Sequence, residues 1–185
     1  MIEGKLVNLR AREMTDVDRM YRWINDREVT RYLNMRYAIS YLAEEAWVRA
    51  SVEAPMGYER PGFAIETKHG QHIGTINFHL VTPEDRATSL GIMIGEQSHW
   101  SRGYGTDAML TFMRFGFEEM NLNRIELTVD AANARARACY RKCGLTDEAR
   151  LRQHRFAGGA YGDTVLMGIL RSEWRRKSTE TEGTR

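Results

Sequence analysis

A run of five residues, Arg102-Gly103-Tyr104-Gly105-Thr106, carries the most explicit chemistry in this chain of 185 residues. Two glycines let consecutive backbone N–H groups turn toward one point. The helix predicted to begin there directs its positive end the same way. Arg102 adds a full charge. Such a turn holds a phosphate or diphosphate; a plain tight connection between strand and helix is its structural alternative. Further on, Asn133 and Tyr140 stand seven residues apart, two helical turns, on one face of a helix predicted over Ala134 to Lys142. Asn133 offers an amide and an N-cap; Tyr140 offers a phenol. His72 and His79 could each act as a base, although a solvent-facing strand histidine is the commoner case.

These groups need elements to hold them. Thr88 to Thr106 reads as strand, small-residue turn and helix, with Leu90, Ile92 and Ile94 alternating against Ser89, Gly91 and Met93. Gly91 and Gly95 would permit a bulge or a close approach by another molecule. The following helix carries Ala108, Met109, Phe112, Met113, Gly116 and Met120 as a core stripe. Ile125, Leu127 and Val129 then form a strand, so Ser89 to Val129 is a strand–helix–strand unit expected as a right-handed parallel crossover.

Before this unit, Lys5 to Arg10 reads as a strand. Thr15-Asp16 reads as an N-cap for a helix over Asp16 to Asp26. Thr30 to Leu42 has no period, and Ala43 to Glu53 is a helix. Pro55, Gly57, Pro61 and Gly62 punctuate a turn. Phe63 and Ile65, then Ile76, Phe78 and Leu80, alternate with their neighbours, so three strands in short succession predict an antiparallel meander. After Gly144, a C′ residue, Leu145 to Leu170 reads as a long hairpin with its loop at Ala157 to Asp163. Residues 1–174 form one domain; the polar residues 175–185 are expected to be a disordered tail.

Composition excludes several classes. A net charge of +2 with no basic stripe argues against nucleic acid. No apolar run is long enough to cross a bilayer and no signal peptide is seen, which favours a cytoplasmic protein without a membrane. Cys139 and Cys143, four apart with no His pair nearby, make a poor zinc signal, so no metal is expected.

The order of elements, with GIMIG, RGYGTDA and NARARACYRKCGL, resembles the GNAT superfamily of acetyl-CoA-dependent N-acetyltransferases over nearly the whole chain. Asp26 to Leu33 resembles the branch of ribosomal-protein-alanine and spermidine acetyltransferases. The resemblance implies an α/β (α+β) fold: a mixed, mostly antiparallel twisted sheet of about seven strands flanked by about four helices. Gly103 and Gly105 match the family's diphosphate motif, whose leading Gln/Arg is here Trp100. Asn133, Ala136, Tyr140 and Gly144 match a second motif.

What the resemblance implies is specific. The backbone from Arg102 through Gly103, Tyr104, Gly105 and Thr106 would hold the diphosphate of acetyl-CoA. A bulged strand at Ile92, Met93 and Ile94 would splay from the strand near Ile125, and the pantetheine arm would add there like a strand. Asn133 would bond an amide of that arm, with Ala136 beside it. Tyr140 would protonate the departing thiolate. The acceptor would be a primary amine, small or peptidic, between the Arg31–Leu42 loop, the Pro55–Pro61 turn and the hairpin loop at Gly158–Asp163. Glu84, Asp85, His79 and Glu126 are candidates for the base, a structural role being the commoner reading of each, and the base is left open. A homodimer is compatible with this picture. Two rivals stand beside it: a non-catalytic acyl-CoA sensor, and a dinucleotide-binding protein built on Gly103-Tyr104-Gly105-Thr106-Asp107-Ala108 with Asp130 ending the next strand.

Overall fold

Alternating apolar residues become strands that pair with their sequence neighbours. The computed structural model describes residues 1–54, 57–59, 61–79 and 81–174. Strands β3 (Gly62–Thr67), β4 (His72–Phe78) and β5 (Ala87–Ile94) form the expected antiparallel meander. The first strand is two: β1 (Ile2–Glu3) and β2 (Val7–Arg10), split by a turn in which the Gly4 N–H bonds Val7 O at 2.8 Å. Helix α4 (Tyr104–Glu118) crosses over to β6 (Arg124–Asp130), which lies parallel to β5. Helix α5 (Ala134–Cys143) precedes the hairpin of β7 (Thr146–Ala157) and β8 (Ala160–Leu170). Among the described residues the sheet has eight strands in the order β1-β2-β3-β4-β5-β6-β8-β7, and β5–β6 is its parallel pair.

The main core lies between the sheet and α4. Met109, Phe112 and Met113 are fully buried against Phe78, Ile76, Ile125 and Leu127. Phe78 and Phe112 stack with centroids 4.0 Å apart. Burying such a ring stabilises by about 1.5–3 kcal/mol. Gly116 lets Phe78 approach, since a Cβ there would sit 2.8 Å from its ring.

The opposite face carries α1 (Val17–Asn25), α2 (Arg27–Thr30) and α3 (Tyr41–Glu53), with Val17, Met20, Trp23 and Val48 as a second, smaller core. Asp16 stands at the N-cap position of α1, but its side chain does not cap the helix. It is 3% exposed and accepts two hydrogen bonds from Arg10, at 2.7 and 2.8 Å, and one from the Glu13 N–H at 2.9 Å. Burial opposes its charge, yet Arg10, His72 and the Glu13 N–H outweigh that and hold its carboxyl well below the usual carboxylate range. His72 is therefore not solvent-facing. It is 3% exposed, with Nδ1 3.0 Å from Asp16 Oδ1, Nε2 2.9 Å from Gly74 O, and Trp23 edge-on at 4.9 Å. The charged cluster fastens α1 to the sheet.

The long hairpin has a two-residue loop, shorter than the sequence suggests. Gly158 and Gly159 both have positive φ, 59° and 80°, as a type I′ turn requires. The expected tail beyond Trp174, together with Pro55, Met56, Arg60 and Leu80, lies outside the described residues.

Candidate active site

Strands β5 and β6 pair only over Ala87–Ser89 and Arg124–Glu126, then diverge. Pairing with β4 continues unbroken from Phe78–Leu90 to Gly74–Ile94, so no bulge in that ladder causes the splay. The His79 N–H bonds Ser89 O at 2.8 Å. By the period of two, the backbone groups of Ser89, Gly91 and Met93 face β4 and those of Leu90 and Ile92 face the gap. Ile94 O is already taken by the Trp100 indole N–H at 2.7 Å. The Met93 side chain packs on the small core beside Trp23. The two glycines flagged in this stretch accommodate the chain's own side chains. A Cβ on Gly91 would lie 2.7 Å from His79 Nε2, and one on Gly95 2.1 Å from the Trp23 ring.

The gap opens onto the start of α4. Gly103 is its N-cap at φ +89°, and Ser101 before it also has positive φ, 59°. The N–H groups of Tyr104, Gly105 and Thr106 have no partner within the helix, and they meet the positive end of a 15-residue helix. Asp107, the acidic residue of that turn, is turned away: its carboxylate accepts from the N–H groups of Lys5, Leu6 and Val7 at 3.1, 2.7 and 3.0 Å. The Arg102 side chain is exposed and does not line the cleft, and Tyr104 packs edge-on to His99. Charge at the mouth comes instead from Arg135, whose guanidinium lies 3.8 Å above the centre of the Trp100 ring. Sequence reasoning marked Trp100 only as a departure from a motif and did not find Arg135.

Helix α5 flanks the gap on the α4 side of the sheet. Asn133 Oδ1 accepts from the Ala136 N–H at 3.1 Å, so the N-cap role is realised and the amide NH₂ stays available. Gly144, at φ 106°, ends the helix, and the Leu145 N–H returns to Tyr140 O at 3.1 Å. Tyr140 packs partly buried against the main core. Among the described residues no hydrogen bond holds its hydroxyl. Burial first, then the neighbouring Cys139 and Cys143, push its phenol above the ordinary range, so it carries its proton at neutral pH. Cys139 lies 3.3 Å from Thr106 Oγ1. A hydrogen bond with Cys143, helped by Thr106 and Lys142 and opposed by burial, lowers its thiol to about 7.

The cleft continues to the α1 face, with a total volume of about 920 Å³. Ile125, Leu127 and Val129 are buried in the α4 core, which turns Thr128 and Asp130 toward the cleft. Its far wall is Tyr32, Leu33, Asn34 and Arg36, from the segment after α2. Arg155 of β7 fixes that wall. One guanidinium nitrogen lies 2.5 Å from Asp130 Oδ2; the other donates to Arg31 O and Leu33 O at 2.8 and 2.9 Å. A bulge aims it: the β7–β8 register shifts between Leu151 and Arg155, Gln153 has φ 52°, and Asp163 accepts from the Gln153 N–H at 2.8 Å. The same bulge sets His154 Nδ1 3.2 Å from Thr164 Oγ1.

Of the residues expected to form the site, Ile92, Met93, Ile94, Gly103, Gly105, Thr106, Asn133, Ala136 and Tyr140 all line this one cleft. The acceptor-side expectations are corrected in part. The Arg31–Leu42 segment contributes its first half. The hairpin contributes the strand residues His154, Arg155 and Thr164, while its tip does not reach the cleft. The described part of the Pro55–Pro61 turn does not line it either. Of the four candidate bases only His79 lines it; Glu126 is held by Arg124 at 2.8 Å. Asp130 is occupied by Arg155 and by the Ala132 N–H at 2.9 Å, which removes the free carboxylate that a dinucleotide ribose would need.

Residues 7–146 match the family described as acetyltransferase (GNAT) domain. An uncharacterized N-acetyltransferase of Bacillus licheniformis, p20, is 25% identical over 91% of this chain and 94% of its own. Spermidine N(1)-acetyltransferase of Escherichia coli (strain K12) is 28% identical over 57% of this chain and 56% of its own. The crystal structure of spermidine N-acetyltransferase from Vibrio cholerae in complex with CoA and spermine superposes with a TM-score of 0.84. It is 23% identical and the match covers 93% of this chain and 99% of that one.

Proposed function

This chain belongs to the GNAT acetyltransferase family, and from that premise we propose that it moves an acetyl group from acetyl-CoA to a primary amine by direct attack. The observation that carries the reading is the splay of β5 from β6 beyond Ser89, opening onto the free N-terminus of α4. A long cosubstrate with a diphosphate at one end fits that path. The N–H groups of Tyr104, Gly105 and Thr106 take the diphosphate. Leu90 and Ile92 offer backbone groups to the amides of the arm. The Asn133 NH₂ is a further donor. Tyr140 gives its proton to the sulfur as the C–S bond breaks.

The acceptor is an amine class: a protein N-terminus, a polyamine, or an amino sugar or antibiotic. The relative from Escherichia coli supports polyamines. The charges lining the acceptor side are mixed, Glu28 and Asp130 against Arg36 and Arg155, and support a singly charged amine equally well.

The test is CoA release over a panel of amines, beside thermal shift with acetyl-CoA and with NAD. Acetyl-CoA at ~100 times its dissociation constant should add about 2.7 kcal/mol of stability, and NAD none. Equal stabilisation by NAD would overturn the cosubstrate. Acetyl-CoA binding with no release on any amine would make the protein an acyl-CoA sensor.

A further inference from the structure

We propose that His79 is the base that takes the proton from the acceptor ammonium and that Asn77 sets its tautomer. The inference rests on the acetyl-transfer reading above. His79 follows directly on β4, and its Nε2 occupies the space that a side chain on Gly91 would fill, 2.7 Å from an ideal Cβ there. Only the missing Cβ lets the imidazole lie over the backbone of β5 at that point. Gly91 is two residues past Ser89, the last residue of β5 paired with β6. A chain anchored at the N-terminus of α4 and laid along β5 meets the closed strand pair there and must end. Its thioester therefore arrives at Leu90–Gly91, beneath His79.

The two faces of the sheet then divide the chemistry. Ser89, Gly91 and Met93 point to the α1 side, where Met93 packs on the small core, so His79 lies on the side of the Tyr32–Arg36 wall. Tyr140 lies on the α4 side, against the main core. The amine enters from one face and the thiolate leaves on the other. Among the other titratable groups that line the cleft, Asp130 is paired with Arg155 and His154 bonds Thr164, while Glu28 and Arg36 stand with Tyr32 on the α2 wall.

The step balances. His79 Nε2 accepts one proton from the ammonium. The freed lone pair forms the C–N bond, the C–S bond breaks, and sulfur takes the electron pair with the Tyr140 proton. The new amide nitrogen loses its second proton, through solvent, to the Tyr140 phenolate. The imidazolium then discharges to water. The net products are amide, CoA thiol and one proton. Nε2 must be unprotonated at the start. The Asn77 amide nitrogen Nδ2 lies 3.3 Å from His79 Nδ1, an arrangement in which it donates to Nδ1 and the ring proton sits on Nε2. A half-turn of the amide exchanges its nitrogen and oxygen; the oxygen then accepts from Nδ1–H and leaves Nε2 free. An ammonium, which only donates, selects that arrangement.

The experiment is kcat/KM against pH for wild type, His79→Gln, Asn77→Asp and His154→Gln, each with an acetyl-CoA titration and a melting curve. His79 is exposed, so its variant should fold. His79→Gln should bind acetyl-CoA normally, lose about 10²–10⁴ in kcat/KM at neutral pH, and lose the limb that rises with pH. Asn77→Asp should keep the limb but move it to higher pH, because a carboxylate against Nδ1–H favours the imidazolium. His154→Gln should keep the limb where it is. A His79→Gln enzyme with the wild-type limb, or loss of the limb in His154→Gln alone, overturns the proposal. Loss of acetyl-CoA binding in His79→Gln also overturns it, assigning His79 to the cosubstrate. A wild type that acetylates no amine overturns the underlying reading, a result distinct from an active wild type with an indifferent His79.

Discussion

The two ends of the cleft are built in different ways. The end facing α4 is contiguous: Leu90 to Thr106 supplies strand, turn and helix start, and Asn133 to Tyr140 supplies the flanking helix. Its useful groups are mostly backbone. The acceptor end is assembled across the chain. Arg155 bonds carbonyls 124 and 122 residues away. Its useful groups are side chains, aimed by a bulge. Backbone recognition of a diphosphate and a diamide arm tolerates much variation in side chains. Recognition of an amine depends on which side chains meet, and so can change while the other end stays the same.

That contrast can be broken most sharply at Tyr140, the proposed proton donor to the sulfur. Tyr140→Phe should bind both substrates and lose about 10²–10⁴ in kcat, roughly 2.7–5.4 kcal/mol of barrier. Steady-state kinetics beside a binding titration checks it. An unchanged kcat would make Tyr140 a packing residue only.

Arg155→Met tests whether the two ends are separable. It removes the clamp on Arg31 O and Leu33 O. KM for the amine should rise about 10–100-fold, the worth of one charge-assisted hydrogen bond of about 1.5–3 kcal/mol. KM for acetyl-CoA should not move. The protein should also melt earlier, because Asp130, with a side chain 12% exposed, loses its cationic partner. A parallel rise in both KM values would show that the ends are coupled.

The smallest effects separate the two glycines of the turn. Gly103 stands at φ +89°, so Gly103→Ala should destabilise the free protein by about 1–2 kcal/mol. Around Gly105 an added Cβ would meet Ile94 and Cys139 only at 3.7 and 4.0 Å, ordinary contact. Gly105→Ala should leave the melting temperature nearly unchanged and weaken acetyl-CoA binding. Normal calorimetric affinity in Gly105→Ala would show that the cosubstrate does not approach that backbone.

Legibility followed the same division. The strand period from Leu90 to Ile94, the stripe from Ala108 to Gly116 and the spacing of Asn133, Tyr140 and Gly144 are local, and each became the strand or helix it implied; Leu90 to Ile94, Asn133 and Tyr140 also line the cleft. Arg135 over Trp100 was not legible, because neither residue signals the other across 35 positions. His72 read as a surface histidine because nothing near it in the chain announces Asp16, whose burial beside it depends on Arg10 pairing from another strand. The β7 bulge left no signal either: Gln153 is an unremarked polar residue until Asp163 catches its N–H.

What the sequence determined by itself was therefore the order of elements, the glycine-bearing helix start and the phenol two turns after an N-cap. These are set by periodicity and φ requirements within a few residues. The tertiary structure alone decided which carboxylates were spent on arginines, which histidine reached the cleft, and that the hairpin would act through its strands and not its tip. Those outcomes depend on hydrogen-bond competition among groups that only the packed elements bring together, such as Arg155 and Asp130, 25 residues apart. No local propensity encodes that competition; it is resolved only when the sheet closes.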